Sequence, residues 1–148
     1  MHVYIDGDGC PVVALALTLA LSYDIEVTIV CDYAHYFEEA EHVRVMYCDQ
    51  GKDSVDFAIL HAAQKGDLVI TQDYGLAGLL LAKHVHVLSQ NGLCFTQDNM
   101  EQLLNQRHMS AKLRKQDHHF GHMKKRTGDD DEAFYEAMDS FLKERQYE

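Results

Sequence analysis

The chain reads as an α/β protein in which a mainly parallel central sheet lies between two layers of helices. Compact β-branched or alternating runs at 3–5, 25–30, 43–47, 67–71 and 85–89 are separated by longer stretches with helical grammar. At 148 residues and 47% apolar content the chain has room for one domain with a real core. The longest apolar run, Val12 to Leu21, is interrupted by Thr18 and falls short of the roughly 18 residues a membrane span needs. With no basic flank leading into an apolar segment at the N-terminus, a cytoplasmic protein without a membrane partner is expected.

Val3 to Ile5 forms the first strand, and "PVVALALTLALSY" after it is long enough to prefer helix, with Pro11 suited to the first turn. "IEVTIV" (25–30) reads as a buried strand, 34–41 as one or two helical turns, and "VRVMY" (43–47) as an alternating third strand. In "KDSVDFAILHAAQKG" carboxylates and Ser54 open a helix, Val55, Ile59, Ala62 and Ala63 share one side, and Gly66 ends it. "DLVIT" (67–71) is a buried strand, "YGLAGLLLAK" a helix of small residues, and "VHVLS" a fifth strand that "QNGLCFT" follows as the return of a hairpin. "QDNMEQLLNQRHMS" resumes as helix. A last amphipathic helix at about 131–145 presents Phe134, Met138, Phe141 and Leu142 on one face.

Cys10, Cys31, Cys48 and Cys94 are scattered with no CxxC pair, which excludes a zinc knuckle or a thioredoxin-type motif and fits free thiols in a reducing compartment. Cys10, beside charged residues near a helix start, stands where a thiol pKa can fall. Net charge is −11, yet its distribution is uneven. Residues 107–126 carry Arg107, Lys112, Arg114, Lys115, Lys124, Lys125 and Arg126, with four histidines, against the lone acid Asp117. That segment is a candidate phosphate-binding surface, with Phe120 and the histidines available for stacking. A solvated basic loop pairing with the protein's own acids is the competing reading.

In a doubly wound sheet the functional crevice lies beyond the carboxyl ends of the strands, near the point where strand order reverses. Asp6 and Asp8 follow the first strand, Asp73 follows the fourth, and Asp53 with Asp56 opens the helix that leads into the fourth. Carboxylates gathered there repel one another unless a cation is shared, and Mg²⁺ or Mn²⁺ is the natural partner for an all-oxygen set. Such an ion can polarise a phosphodiester and activate water, while Gly7 and Gly9 let the main chain approach a phosphate. Each acid also has a purely structural explanation. Asp53 and Asp56 have the spacing of a capping box, Asp6 and Asp8 suit a turn, and Asp73 suits a cap.

"YIDGDGCPV", "GKDSVDFAILHAAQKGDLVITQDYGLAGLLL" and "HMKKRTGDDDEAFYEAMDSFL" together resemble the bacterial YaiI/YqxD family, PIN-like domains of unestablished activity. The resemblance covers nearly the whole chain and includes a D-x-D-x-C-P opening, a D-x-x-D helix start and a V-I-T-x-D strand end. It implies a PIN-like fold over 1–148 in which Asp6, Asp56 and Asp73 bind a divalent metal and cut phosphodiesters, RNA before DNA. Many PIN-type nucleases carry a further acid soon after the position of Asp73, whereas this chain continues "YGLAGLLL"; Asp8 or Asp53 is the candidate substitute. Two other classes remain open: a non-catalytic nucleic-acid-binding module, and a haloacid-dehalogenase-type phosphatase using Asp6 and Asp8, which requires a nearby lysine. A homodimer is also left open.

Overall fold

A computed structural model describes residues 1–51, 53–116 and 125–146, with the backbone alone for 107 and 110–116. The elements run β1 (His2–Asp6), α1 (Val13–Ser22), β2 (Glu26–Asp32), β3 (Val43–Cys48), α2 (Ser54–Ala62), β4 (Leu68–Ile70), α3 (Tyr74–Ala82), β5 (His86–Leu88), β6 (Cys94–Phe95), α4 (Gln97–Gln116) and α5 (Gly128–Gln146). The six strands form one sheet in the order β3-β2-β1-β4-β5-β6, all parallel except β6, which returns antiparallel to β5 as the hairpin reading expected.

Alternation along the strands builds the two cores. Val3 and Ile5, Val27 and Ile29, and Leu68 and Ile70 face α1 and α5, where Ala16, Leu19, Phe134, Met138 and Leu142 are buried against them. On the other face, Val30, Val69 and Val87 pack with Ile59 of α2, Leu76 and Leu80 of α3 and Met100 of α4. The result is the expected three-layer α/β sandwich. Each fully buried branched side chain contributes about 1.5–3 kcal/mol relative to exposure.

Helix starts follow local hydrogen-bonding chemistry. Thr96 and Asn99 exchange backbone-to-side-chain bonds of 2.9 and 3.1 Å ahead of α4, a reciprocal capping box. At α5 the Asp130 carboxylate accepts from the Thr127 N–H at 2.9 Å, and Asp129, Asp130 and Asp131 lie in the first turn against the positive end of the helix dipole. The helix therefore begins at Gly128, three residues ahead of the expected start. α1 begins at Val13, leaving Pro11 just outside it.

Residues 34–41 do not form the expected helical turns. The Asp32 carboxylate accepts the Ala34 N–H at 2.9 Å and the chain turns there, an Asx-type bond that competes with helix formation. No helix among the described residues is long and apolar enough to cross a membrane.

Gly7 sits where β1 meets its neighbour: a Cβ there would lie 2.8 Å from Ile29 Cγ2 and 3.2 Å from the Val30 carbonyl oxygen. Its backbone N–H donates to that carbonyl at 2.8 Å. Close packing on β2 is enough to require a glycine here. Gly9, at φ +68°, serves the turn that follows.

Candidate functional site

The order 3-2-1-4-5 places the reversal point between β1 and β4, at whose carboxyl ends the acids converge. Register pairs Ile5 with Ile70, so Asp6 and Thr71 stand next to each other one step further along. Both project toward the layer of α2 and α3, because each lies one residue beyond a side chain buried on the opposite face. The Thr71 hydroxyl donates to Asp6 Oδ2 at 2.9 Å and accepts the Asp73 N–H at 3.1 Å, tying the two acidic residues to one small side chain.

Asp73 also caps α3, its Oδ1 accepting the Leu76 N–H at 2.9 Å. Asp56, in the first turn of α2, lines one cavity with Asp73. Burial first, and then Asp73, Asp6 and Asp53, push the Asp56 carboxyl up to about 7. Asp6 is raised as well, by burial first, with Asp8 and Asp73 adding to it against the Thr71 hydrogen bond. Asp6, Asp56 and Asp73 thus share one electrostatic environment although they come from three separate parts of the chain.

Asp53 corrects the capping expectation. It occupies the position before α2 in the left-handed region, φ 72°, and its side chain makes no capping bond. A non-glycine residue there costs about 1 kcal/mol, held by the surrounding fold. Asp53 lines a cavity of about 240 Å³ with Asp56, Asp73, Gly75 and the apolar Phe57, Leu60, Leu76 and Leu79. Phe57 is 67% exposed at this cavity.

Asp8 is directed to the other side of β1. Its Oδ1 accepts the Asp32 N–H at 3.1 Å and faces His35 Nδ1 at 3.1 Å; the same ring nitrogen lies 3.0 Å from Asp32 Oδ1. Asp32 and His35 were not singled out from the sequence. The available signal was an acid at the carboxyl end of a buried strand, the criterion that found Asp6 and Asp73.

Burial raises the Cys10 thiol, with the Asp6 charge adding, so the expected lowering near the helix start does not occur. All four cysteines are free, and burial first, then Asp8 and Asp32, push the Cys31 thiol up to about 11. The lysine that phosphatase chemistry requires is not supplied by Lys83, whose ammonium donates to the Leu60 and Ala63 carbonyls at 2.6 and 2.7 Å. Nor is it Lys65, in a cavity with Met1, Asp67 and His86 at the amino ends of the strands.

Of the basic segment, Arg107, Lys112, Arg114 and Lys115 belong to α4 with side chains outside the described set, and Lys124 lies outside the described residues. Lys125 is exposed. Arg126 is engaged within the fold: its guanidinium donates to Asp131 Oδ1 at 2.8 Å, Asn91 Oδ1 at 2.6 Å and the Gln90 carbonyl at 2.8 Å. It joins the β5–β6 turn to the start of α5.

A stability consequence follows from Asp56. Its folded pKa lies above the ordinary value of 3.8, so its contribution is fully present below that value and is lost as pH rises through about 7. Asp56→Asn removes this titration. The wild type is expected to lose on the order of 1 kcal/mol relative to Asp56→Asn between pH 4 and pH 8, after allowance for solvent screening. Urea midpoints across that range, without divalent ions, measure it.

The family model described as "Uncharacterized BCR, YaiI/YqxD family" matches residues 4–144. A "UPF0178 protein" of Exiguobacterium sibiricum is 42% identical, over 98% of this chain and 99% of its own length. A "UPF0178 protein" of Alkaliphilus oremlandii is 37% identical, over 97% of this chain and 92% of its own. No solved structure matches the chain.

Proposed function

The chain belongs to the YaiI/YqxD family, and on that premise we propose that it is a divalent-metal-dependent phosphodiesterase acting on nucleic acid, RNA in preference to DNA. The observation that supports this reading is the grouping of Asp6, Asp56 and Asp73 at the β1–β4 reversal point, where burial first and the neighbouring acids second raise Asp6 and push Asp56 up to about 7. A structural cap explains Asp73 alone; it does not explain why two further acids are brought to it. Their mutual repulsion is relieved by a hard divalent ion, and a donor set made entirely of carboxylate oxygens fits Mg²⁺ or Mn²⁺.

In this reading Asp6, Asp56 and Asp73 would hold the ion directly or through water, and Thr71 and the α3 cap fix two of them in place. When bound there, the ion would supply charge neutralisation at the phosphate and an acidified water. Asp53, at the rim, reinforces the negative field and is the candidate for a further ligand or base in place of the acid absent after Asp73. Asp8 bounds the group on the β2 side. Lys125, with the basic residues of 107–124, would hold the substrate backbone with salt-sensitive affinity. Four free thiols suit a cytoplasmic setting.

The test is incubation of the purified protein with a labelled single-stranded RNA and Mn²⁺, alongside a chromogenic phosphomonoester. Cleavage of the RNA that EDTA abolishes is the expected result. Hydrolysis of the monoester alone would favour phosphatase chemistry, and salt-sensitive RNA binding without cleavage under Mg²⁺ or Mn²⁺ would favour the non-catalytic module.

A further inference from the structure

On the β2 side of the same sheet edge, Asp8, Asp32 and His35 come together from the loop after β1, the last residue of β2 and the turn that follows. What distinguishes this trio from two neighbouring acids is a ring nitrogen aimed between two carboxylate oxygens. His35 Nδ1 lies 3.1 Å from Asp8 Oδ1 and 3.0 Å from Asp32 Oδ1, and one ligand atom from each residue falls within 4.8 Å of the others. Ligands about 2.1 Å from an ion are separated by ~3.0 Å along an octahedral edge and ~3.4 Å along a tetrahedral one, so these separations match adjacent positions of a coordination sphere.

We propose that Asp8, Asp32 and His35 form a second divalent-cation site, separate from Asp6, Asp56 and Asp73, that takes a borderline transition ion such as Mn²⁺, Co²⁺ or Zn²⁺. The imidazole sets the selectivity, since nitrogen donors favour these ions over Mg²⁺. Backbone groups orient the oxygens: the Asp32 N–H donates to Asp8 Oδ1 at 3.1 Å and the Ala34 N–H to Asp32 Oδ1 at 2.9 Å, as outer hydrogen bonds orient metal ligands elsewhere. The His35 N–H donates to the Asp32 carbonyl at 3.2 Å, fixing the turn that carries the ring. The side chains of His35, Asp8 and Asp32 are 40%, 31% and 25% exposed, so solvent oxygens can complete the sphere. The simpler alternative is an imidazole that bridges two carboxylates and pins the loop without any ion.

Titration with Co²⁺, read by visible absorption and by calorimetry, separates the two. The wild-type protein is expected to bind an ion whose affinity falls at least about 10-fold in both His35→Ala and His35→Gln. Saturating Zn²⁺ is expected to shift the His35 ring resonances in the wild type. Asp73→Asn, which alters only the other group of acids, is expected to leave that binding event in place, so failure here is separable from failure of the phosphodiesterase reading. Co²⁺ binding unchanged in both His35 variants, or His35 resonances unmoved by Zn²⁺, would overturn the proposal.

Discussion

Asp73→Asn is expected to lower Mn²⁺-supported RNA cleavage by at least about 100-fold while the protein keeps its fold. Asparagine retains an oxygen that can accept the Leu76 N–H, and asparagine and aspartate are near equals as helix caps. The substitution therefore removes the charge and preserves the structural role. A 100-fold loss corresponds to ~2.7 kcal/mol of transition-state stabilisation, within what one electrostatic partner of a metal-assisted reaction supplies. Removing the Asp73 charge also relieves Asp56, so thermal stability at pH 8 is expected to hold or rise slightly. Asp73→Ala provides the contrast, losing the cap at a cost of about 1 kcal/mol. Initial cleavage rates and melting curves on the same preparations measure both effects. Wild-type cleavage by a folded Asp73→Asn protein would remove Asp73 from the chemistry.

Gly92→Ala is expected to destabilise the fold by about 2–5 kcal/mol. Gly92 holds φ +87° in the β5–β6 turn, and a Cβ there would lie 2.5 Å from the Ala133 carbonyl oxygen and 2.9 Å from its carbon, both backbone atoms of α5. The backbone conformation disfavours a side chain by about 1–2 kcal/mol, and overpacking adds about 1–3 kcal/mol. The turn has little freedom to retreat. Gly92 N–H donates to the Ser89 carbonyl at 3.1 Å, Leu93 N–H to Ser89 Oγ at 3.0 Å, and Arg126 holds Gln90 and Asn91 from the α5 side. Gly9→Ala is the internal control, because Gly9 also has positive φ but its Cβ would meet nothing within 4 Å. Denaturant midpoints should place Gly92→Ala well below Gly9→Ala; equal midpoints would mean that the α5 backbone yields to the new methyl.

The strands were legible because buried parallel strands are written as β-branched runs, and that preference is local. β2 nevertheless runs to Asp32, two residues past the expected end, and Asp32, which meets His35 beside Asp8, is an acid that the sequence reading missed. The stretch 34–41 misled because its residues permit helix, while the Asp32 side chain bonded to the Ala34 N–H diverts the chain. Asp6 and Asp73 could be located from topology, since both end buried strands. Asp53 could not be sorted from capping, because a helix start favours an acid for either purpose; only its left-handed backbone and its lack of a capping bond separate the two. At Gly7 the packing requirement was not legible, since Ile29 and the Val30 carbonyl are neighbours that sequence spacing does not reveal. The partners of Arg126 are distant for the same reason: Gln90 and Asn91 stand more than thirty positions earlier.

The central claim is that folding gathers Asp6, Asp56 and Asp73 into one repulsive group that a divalent ion relieves. Carbon-detected NMR titration of the Asp56 carboxyl, without divalent ions and again with saturating Mg²⁺, addresses it directly. The expected result is a midpoint near 7 without the ion that moves down into the ordinary carboxylate range with it. A midpoint near 4 in the ion-free protein, unchanged by Mg²⁺, would contradict it.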